Sequence, residues 1–319
     1  MISETRPKLS IIIPVFNEEH SLEELNTKIL QVLFDLSFDY EIIYIDDGST
    51  DKSFEILEKL HLENPRVKVI QFKKNFGKSA ALACGFKEAG GDLIITMDAD
   101  LQDEPEEIPN LINKINEGYD LVSGWKEKRK DSLIKLISSK IFNFTASVLL
   151  GLKLHDFNCG FKIYRKEVVK DIDVYGEMHR FLPALASQKG FKIAELKVRH
   201  SPRKFGESKY GKLGLRRLNN YLLDIINVLL ITKYAQKPLH FFGGGGLLLL
   251  ILGFVIEIYL IILRLLTGSI QNHYPLLMLG ILLIIVGIQL ISLGFLSEVT
   301  THINKRKENN YFIKNVLKK

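Results

Sequence analysis

Short apolar runs alternate with amphipathic stretches over the first 125 residues. The runs are rich in Ile and Val and have the length of buried strands, whereas the stretches between them repeat apolar residues at helical spacing. Apolar strands separated by helices predict a parallel sheet that is covered on both faces. The predicted strands are Leu9–Ile13, Tyr40–Ile45, Val67–Phe72 and Leu93–Met97, and the predicted helices are Glu19–Leu36, Asp51–Glu63 and Lys78–Ala89.

The last quarter of the chain is far more apolar. Phe241–Leu266 is apolar except for Glu257 and Arg264, and Pro275–Leu296 contains no charged residue. Each segment exceeds the roughly 20 residues that a helix needs to cross a bilayer, and neither has the polar face of a soluble helix. We expect a transmembrane hairpin over residues 239–298, in which Arg264 reaches the interface and Glu257 has a structural partner in a neighbouring helix or subunit.

Basic residues flank the predicted hairpin at both of its ends. Lys233 and Lys237 precede the first span, and Lys305-Arg306-Lys307 follows the second. The positive-inside bias therefore places both ends of the hairpin in the cytosol. The chain has a formal net charge of +6, and residues 241–319 hold seven Lys and Arg against three Glu. Most of the excess positive charge therefore lies in this last part, and the soluble part is nearly neutral. That balance argues against a nucleic-acid-binding domain, which would have a basic surface. The predicted organisation is a cytosolic domain over 1–210, a juxtamembrane helix over 211–238, the hairpin over 239–298 and a basic cytosolic tail over 299–319.

Two further stretches are amphipathic, but neither contains an apolar run that is long enough to span a membrane. Leu133–Leu150 and Leu213–Ile231 mix Leu, Ile and Phe with Lys and Arg. Such helices can lie in the membrane interface and lead a lipid to the active site, although an ordinary core helix explains the first stretch equally well. Gly243–Gly246 opens the first span and permits close helix contact, so we expect a homo-oligomer, a dimer or tetramer, formed through the hairpins.

Polar side chains directly follow three of the predicted strands. Pro14-Val-Phe-Asn-Glu18 follows the first, Asp46–Asp51 the second and Asp98–Gln102 the fourth. In sheets of this kind, ligands bind beyond the carboxyl ends of the strands, where the strand order reverses. Carboxylates gathered there repel one another unless a cation or a hydrogen-bond donor offsets them, so the pattern predicts a hard divalent cation. A helix cap or a turn explains any single strand end, but explains all three together poorly.

Phe76-Gly-Lys-Ser79 is similar to the end of a phosphate-binding loop. That loop needs a Gly five positions before its Gly-Lys pair, and Phe72 stands there instead. The sequence therefore gives little support to a P-loop nucleoside triphosphatase (NTPase). Lys78 remains a candidate phosphate contact because it begins a predicted helix, where backbone N–H groups bind anions.

Taken together, these motifs resemble family 2 glycosyltransferases of the GT-A fold. The likeness covers nearly the whole chain and is greatest with the polyprenyl-phosphate glycosyltransferases, such as dolichol-phosphate mannose synthases and bactoprenol glucosyltransferases. It implies an α/β catalytic domain with a Rossmann-like, mainly parallel sheet, anchored in a bacterial inner membrane. The motifs are IIIPVFNE, IDDGSTD, NFGKSAAL, MDADLQ, FNCGFKIYRKE, GEMHRFLP and KFGESKYG.

The resemblance implies an inverting hexosyltransferase that moves a sugar from a nucleotide diphosphate sugar to a polyprenyl phosphate. A UDP-sugar such as UDP-glucose is favoured as the donor, and GDP-mannose is the other candidate. The nucleotide-binding residues implied are Pro14, Phe16, Glu18, Asp47, Asp98 and Ala99, with Asp47 at the base. Mg²⁺ or Mn²⁺ is expected at Asp98, Asp100 and Gln102, together with the diphosphate.

The resemblance also implies where the acceptor binds. Asp156 matches the aspartate near the reacting centre, where it orients the acceptor or steadies positive charge on the sugar. A basic loop that closes over the diphosphate contains three of the implied phosphate contacts. The residues expected to bind the acceptor or donor phosphates are Lys126, Arg129, Lys135, Ser139, Arg203, Lys204 and Ser208.

Three other functions compete with this reading. A processive polysaccharide synthase shares the catalytic half, but it carries a Gln-x-x-Arg-Trp motif downstream, and the only tryptophan here is Trp125. A non-catalytic, nucleotide-binding membrane scaffold is a second alternative. The intact acidic and basic positions argue against it, because a scaffold needs no complete set of metal ligands. Transfer to another lipid, such as a diacylglycerol, differs from the favoured reaction in needing no phosphate on the acceptor.

Overall fold

The computed structural model describes residues 8–36, 38–126, 133–172, 174, 176, 178–202, 204 and 238–305. The chain divides into two compact units, residues 1–228 and residues 229–319, and each is described here by itself. The predicted helix Leu213–Ile231 and most of the predicted basic tail lie outside the described residues.

A seven-stranded sheet forms the centre of the first unit. Its order is β3-β2-β1-β4-β6-β5-β7. Strands β1 to β4 are mutually parallel, and β7 is parallel to β5, but β6 runs antiparallel to both of its neighbours. The predicted mainly parallel sheet is therefore confirmed. The strands are β1 (Lys8–Val15), β2 (Asp39–Asp46), β3 (Val67–Gln71), β4 (Leu93–Thr96), β5 (Leu121–Trp125), β6 (Lys162–Arg165) and β7 (Ile193–Lys197).

Helices cover both faces of the sheet because side chains alternate along each strand. In β1, Ile11 and Ile13 pack with helices α1, α2 and α4, whereas Ile12 between them packs with α3, α6 and α7. All three isoleucines are fully buried. The helices are α1 (Leu22–Asp35), α2 (Ser53–Glu63), α3 (Lys78–Glu88), α4 (Ile108–Asn116), α5 (Leu133–Leu150), α6 (Lys166–Asp171) and α7 (Leu182–Gln188).

The sheet order places the reversal point between β1 and β4. From β1 the chain moves to β2 and β3 on one side, and then returns to β4 on the other side of β1. The carboxyl ends of β2, β1 and β4 consequently lie side by side, and the three acidic or polar segments predicted from the sequence follow those ends.

Helix α5 coincides with the first predicted amphipathic stretch. Its side chains Phe144 and Val148 are exposed, whereas Ala146 is fully buried. Apolar side chains are thus uncovered on one part of this helix, as an interfacial helix requires, and its placement in the membrane interface stays a prediction.

The second unit contains two long helices joined by a tight turn. Helix α8 (Pro238–Thr267) and helix α9 (Tyr274–Lys305) flank a short 3₁₀ turn at Gln271–His273. Both helices are long and apolar enough to cross a membrane, and most of their large apolar side chains are exposed. Within the hairpin, the Glu257 carboxylate lies against Gly280 of the other helix, where a side chain at position 280 would collide with it.

Candidate active site

The loops after β1 and β2 are joined by side-chain hydrogen bonds. The Asn17 backbone N–H donates to Ser49 Oγ over 2.9 Å, and Thr50 N–H donates to Asn17 Oδ1 over 2.8 Å. Glu18 N–H donates to Ser53 Oγ over 2.8 Å. Asn17 has a φ of 53°, a left-handed conformation that asparagine tolerates better than most residues. These bonds fix the predicted nucleotide-binding segment 14–18 against the segment that follows β2.

The turn after β2 brings Asp47 to the loop before α3. The two Asp47 carboxylate oxygens accept hydrogen bonds from Phe76 N–H at 2.7 Å and Gly77 N–H at 2.9 Å. Burial raises the pKa of Asp47, and the neighbouring Asp46 charge raises it further, against the lowering effect of the two backbone donors. Gly48, with φ 71°, permits this approach, because a Cβ there would lie 2.5 Å from the Lys74 backbone. Asp47 is thus held at the carboxyl edge of the sheet, and its contact with a nucleotide stays a prediction.

Asp98 follows β4 and lies beside Lys78, which comes directly after the loop that binds Asp47. Lys78 Nζ, at the start of α3, forms a short ion pair with Asp98 Oδ1. Burial alone would raise the pKa of Asp98, but the charges of Lys78 and Lys126 lower it well below its usual range. Gly160 closes the other side, since a Cβ there would lie 2.7 Å from the Asp98 carboxylate. Asp98 is therefore ionised, and Lys78 contacts a carboxylate where a phosphate contact was predicted.

The segment 98–103 forms a strained acidic loop after β4. Leu101 has a φ of 59°, which is uncommon for a residue other than glycine, and its side chain is buried. Gln102 N–H donates to Asp100 Oδ1 over 3.2 Å, and Asp98 N–H donates to Asp103 Oδ2 over 3.2 Å. These bonds place Ala99 inward and leave the Asp98 and Asp100 side chains half-buried at the edge of the sheet.

Asp103 anchors this loop to β5. Its carboxylate is fully buried, and Oδ1 lies 2.8 Å from Lys126 Nζ, whose side chain is 9% exposed. Burial lowers the pKa of Lys126, but the charges of Asp103 and Asp98 and the hydrogen bond to Asp103 are among the effects that together raise it above its usual value, so the ammonium is charged. The resemblance implies that Lys126 binds a phosphate of the acceptor or donor. The structure places it in a buried ion pair beneath the acidic loop, and its contact with a phosphate stays a prediction.

A second segment runs along the acidic loop just after β7. Ser201 N–H donates to Gln102 O over 3.0 Å, and Gln102 Nε2 donates to Ser201 O over 3.5 Å. Arg199 Nε lies 2.6 Å from Glu107 Oε1. The start of the predicted basic loop therefore lies beside Gln102, although Arg203 and Ser208 themselves lie outside the described residues.

The remaining predicted phosphate contacts have mixed positions. Arg129 lies outside the described residues, and Lys135 is described only as part of the α5 backbone. Ser139 Oγ lies 3.5 Å from Asn143 Nδ2 within α5. Lys204 Nζ lies 2.5 Å from Glu24 of α1. The phosphate contacts of these four residues therefore stay predictions.

Asp156 is buried in the loop that leads to β6. Its Oδ1 accepts a hydrogen bond from Asn158 N–H over 3.1 Å, and its own N–H donates to Glu195 Oε1 over 2.9 Å. Asp156 is 2% exposed. Its segment continues to Gly160, which lies close to the Asp98 carboxylate. The predicted metal-binding loop and the predicted reacting-centre aspartate are thus linked through residues 156–160.

A buried polar cluster beside this site was not predicted as functional. Ser79 Oγ lies 2.9 Å from His179 Nδ1, and His179 lines a small cavity together with Lys78 and Lys162. Burial, with the charges of Lys78 and Arg180, lowers the pKa of His179 well below its usual value, so the imidazole is neutral. Burial lowers the pKa of Lys162 to about 8. His179 belongs to the motif GEMHRFLP, but its contact with Ser79 cannot be predicted from the sequence, because the two residues lie 100 positions apart.

Comparison with known proteins identifies the family. The profile of the family described as "Glycosyl transferase family 2" matches residues 10–173, which include β1, the acidic loop and Asp156. The dodecaprenyl-phosphate galacturonate synthase of Rhizobium johnstonii is 34% identical over 316 residues, covering 97% of this chain and 93% of that protein. The undecaprenyl-phosphate 4-deoxy-4-formamido-L-arabinose transferase of Shewanella sediminis is 38% identical over 317 residues, covering 97% and 92%.

Solved structures share the fold of the first unit. Glucosyl-3-phosphoglycerate synthase from Mycobacterium tuberculosis, solved with Mn²⁺, UDP-glucose and glycerol 3-phosphate, aligns with a TM-score of 0.51 at 20% identity, over 71% of this chain and 80% of that one. Mannosyl-3-phosphoglycerate synthase from Rubrobacter xylanophilus aligns with a TM-score of 0.55 at 14% identity, over 70% and 74%. The GT-A-like fold expected from the sequence is thereby confirmed.

Proposed function

Because the chain belongs to glycosyltransferase family 2, we propose that it transfers a sugar from a nucleotide diphosphate sugar to a polyprenyl phosphate at the cytosolic face of a membrane. One observation carries this proposal. Relatives named for dodecaprenyl-phosphate and undecaprenyl-phosphate products align over 97% of the chain, so the likeness extends through both long apolar helices and not merely the catalytic fold. A polysaccharide synthase or a scaffold would not account for that shared pair of C-terminal apolar helices.

The nucleotide fits the crevice between β1, β2 and β4. Pro14, Phe16 and Glu18 lie on the segment that Asn17 fixes to the loop after β2, and Asp47 lies opposite them. The Asp47 oxygens already accept two backbone N–H groups, so a base N–H would share an acceptor that is held in place. This arrangement supports binding of the nucleoside by Asp47 and the segment 14–18.

The acidic loop suits a divalent cation. Asp98 and Asp100 offer carboxylate oxygens, and Gln102 offers its amide oxygen, because its amide nitrogen is committed to Ser201 O. No group of three or more His, Cys, Asp or Glu in the described part of the chain is arranged to hold a metal ion by itself. The proposed set has two carboxylates and one amide, and the diphosphate of the substrate provides the other oxygens. When bound, Mg²⁺ or Mn²⁺ would offset the negative charge that develops on the departing diphosphate.

The transfer needs no strong general base. A phosphate monoester is ionised at neutral pH, so an acceptor oxygen can attack the anomeric carbon directly while the bond from that carbon to the diphosphate breaks. The nucleoside diphosphate leaves with the bonding electrons, and displacement in line inverts the anomeric configuration. Lys204 and the basic residues Arg203 and Lys209 of the same loop are proposed to neutralise the departing charge.

Asp156 is proposed to orient the acceptor or to steady positive charge on the sugar. Its backbone N–H donates to Glu195, its carboxylate accepts a hydrogen bond from Asn158 N–H, and its loop approaches Asp98 through Gly160. Since the acceptor brings its own charge, a proton-removing role for Asp156 is unnecessary. Loss of this carboxylate should therefore change the rate of transfer more than it changes donor binding.

The sugar is the part of the proposal that most needs direct measurement. We propose a UDP-sugar as donor, but the two relatives are named for galacturonate and for 4-deoxy-4-formamido-L-arabinose, which differ in charge and in ring substituents. The assay therefore offers UDP-glucose, UDP-galacturonate, UDP-4-deoxy-4-formamido-L-arabinose and GDP-mannose to the full-length protein. Undecaprenyl phosphate and dolichyl phosphate serve as acceptors, with Mg²⁺ or Mn²⁺.

The expected result is a radiolabelled lipid that forms from one donor and requires both the metal and the acceptor phosphate. Undecaprenol and diacylglycerol, which lack the phosphate, serve as matched acceptors and should remain unlabelled. Transfer to diacylglycerol would replace the proposed acceptor with another lipid. Absence of transfer from every nucleotide sugar would overturn the proposed function.

A further inference from the structure

Glu195 of β7 binds the loop that carries Asp156. One carboxylate oxygen, Oε1, accepts hydrogen bonds from the backbone N–H groups of His155 at 2.8 Å and Asp156 at 2.9 Å. The other, Oε2, lies 2.9 Å from both the backbone N and the ring Nδ1 of His155. The Glu195 side chain is 11% exposed. A single carboxylate thus binds three successive donors of this loop.

The same loop is also held from β5. The His155 ring stacks on Trp125 at the end of β5, with ring centroids 4.0 Å apart and planes 11° apart. Lys197 Nζ lies 4.8 Å from the Trp125 centroid. Strands β5 and β7 are hydrogen-bonded neighbours, and Glu195 pairs with Ser123 in their register. The loop is therefore attached to two strands that form one rigid edge of the sheet.

These contacts require a side chain with two oxygens that accept hydrogen bonds, as a carboxylate has. An ionised Glu is purely an acceptor and has two oxygens, so it can receive both backbone N–H groups and a ring N–H at once. An acceptor-only partner also requires His155 to carry its proton at Nδ1. A glutamine in the same position would turn an NH₂ group toward one of these donors, which leaves a donor without an acceptor.

We infer that Glu195 is a positioning residue for Asp156. The bond from Asp156 N–H to Glu195 Oε1 on one side, and from Asn158 N–H to Asp156 Oδ1 on the other, sets where the buried carboxylate lies. The inference rests on the proposed function, since it concerns the step in which Asp156 orients the acceptor or steadies the sugar. Displacement of a catalytic group by about 1 Å costs on the order of 100-fold in rate.

The test compares Glu195→Gln with the wild-type full-length protein in the lipid transfer assay. The variant should lower kcat by roughly 10- to 100-fold, while the Kd for UDP, measured by calorimetry, changes less than about twofold. Asp120→Asn is the matched control. Asp120 Oδ2 also accepts a backbone N–H beside β7, that of Lys192 at 2.8 Å, but at the opposite end of these strands, so its variant should retain wild-type kcat.

A double-mutant cycle separates positioning from a general loss of structure. In an Asp156→Asn background, Glu195→Gln should add less than about a twofold loss, because its effect passes through the carboxylate already removed. Multiplication of the two losses would overturn the inference, and so would a wild-type kcat in Glu195→Gln. If Glu195→Gln does not fold, as judged by thermal unfolding, Glu195→Asp keeps the charge and takes its place in the cycle. Wild-type protein that transfers no sugar would overturn the proposed function and this inference with it.

Discussion

Asp98 and Asp100 lie two residues apart, but their surroundings differ. Asp98 forms an ion pair with Lys78 and lies against Gly160, whereas Asp100 is held by the Gln102 N–H on a strained loop. Lys78 offsets the charge of Asp98 without any metal. The resemblance implies that Asp100 acts with Gln102 at the metal, and the Gln102 N–H holds Asp100 Oδ1 on the acidic loop, so its carboxylate is the candidate cation ligand to test first.

Replacement of Asp100 by Ala should therefore abolish turnover far more than it weakens nucleotide binding. We expect kcat to fall at least 100- to 1,000-fold, the range seen when one group that stabilises developing charge is removed. The rate of lipid labelling and the calorimetric Kd for UDP check this prediction. Asp92→Asn, at the opposite end of β4, is the control and should behave as wild type. Near-normal transfer by Asp100→Ala, with metal chelated, would contradict the metal assignment.

Glu41 gives a prediction on acid stability, far from the active site. Burial raises its pKa, but Lys68, the Ser10 hydroxyl and Gly90 N–H together lower it below the usual value of 4.5. A carboxyl whose pKa is lower in the folded state stabilises the fold above its unfolded pKa, and this stabilisation is lost as the pH falls through the folded pKa. In Glu41→Gln, the melting temperature should consequently fall less between pH 5 and pH 3 than in the wild type, within about that window. An equal fall in both proteins would show that Glu41 is not ionised in the fold.

At the scale of elements, the acidic loop depends on a charge from β5. Lys126 is the buried partner of Asp103, so Lys126→Met should leave a buried carboxylate without its cation and destabilise the protein by about 3–5 kcal/mol. Thermal unfolding measures this loss. Adding Asp103→Asn to the same chain removes the unpaired charge and should recover part of the stability. Should Lys126→Met melt as wild type but lose affinity for a phosphate substrate, the role predicted from the sequence would be the correct one.

Helix contact in the hairpin depends on one glycine of a run of four. A Cβ at Gly246 would lie 2.6 Å from the Gly287 carbonyl oxygen, whereas one at Gly245 would have no neighbour within 4 Å. Alanine is favoured over glycine in a helix by roughly 1 kcal/mol, so Gly245→Ala should keep or raise the melting temperature in detergent. Gly246→Ala should lower it, because the helices must separate. Equal melting temperatures for the two variants would refute this packing.

The elements that the sequence predicts well are those whose signal is local. Strands β1 to β4 and the segments after them were predicted from consecutive residues, because a buried parallel strand is a continuous apolar run and the polar residues follow it directly. The contacts of Glu195 with Asp156 and of His179 with Ser79 are not predictable in this way, since the partners lie 39 and 100 residues apart along the chain. Lys126 shows the opposite limit. The resemblance implies a phosphate contact for the segment that contains it, but its burial beside Asp103 is visible only in the fold.

At the scale of the whole molecule, function depends on which side of the membrane each part occupies. The proposed reaction joins a nucleotide sugar made in the cytosol to a polyprenyl phosphate embedded in the bilayer, so we expect the catalytic domain to be cytosolic. The hairpin meets this requirement if the turn at Gln271–His273 lies on the far side, because two spans return the chain to the side from which it came. The basic residues that flank both spans favour the same orientation.

Cysteine labelling tests this orientation directly. In a chain whose natural cysteines are removed by Cys84→Ser and Cys159→Ala, single cysteines are introduced by Gln271→Cys in the turn or Glu63→Cys at the end of α2, both exposed positions. A membrane-impermeant maleimide added to right-side-out vesicles should label the first variant alone, and inverted vesicles should reverse the pattern. The activity of both variants in detergent is the control for correct folding. Labelling of both positions from the same side would mean that the two helices do not span the bilayer as a pair, and the acceptor would then have to reach the active site by another route.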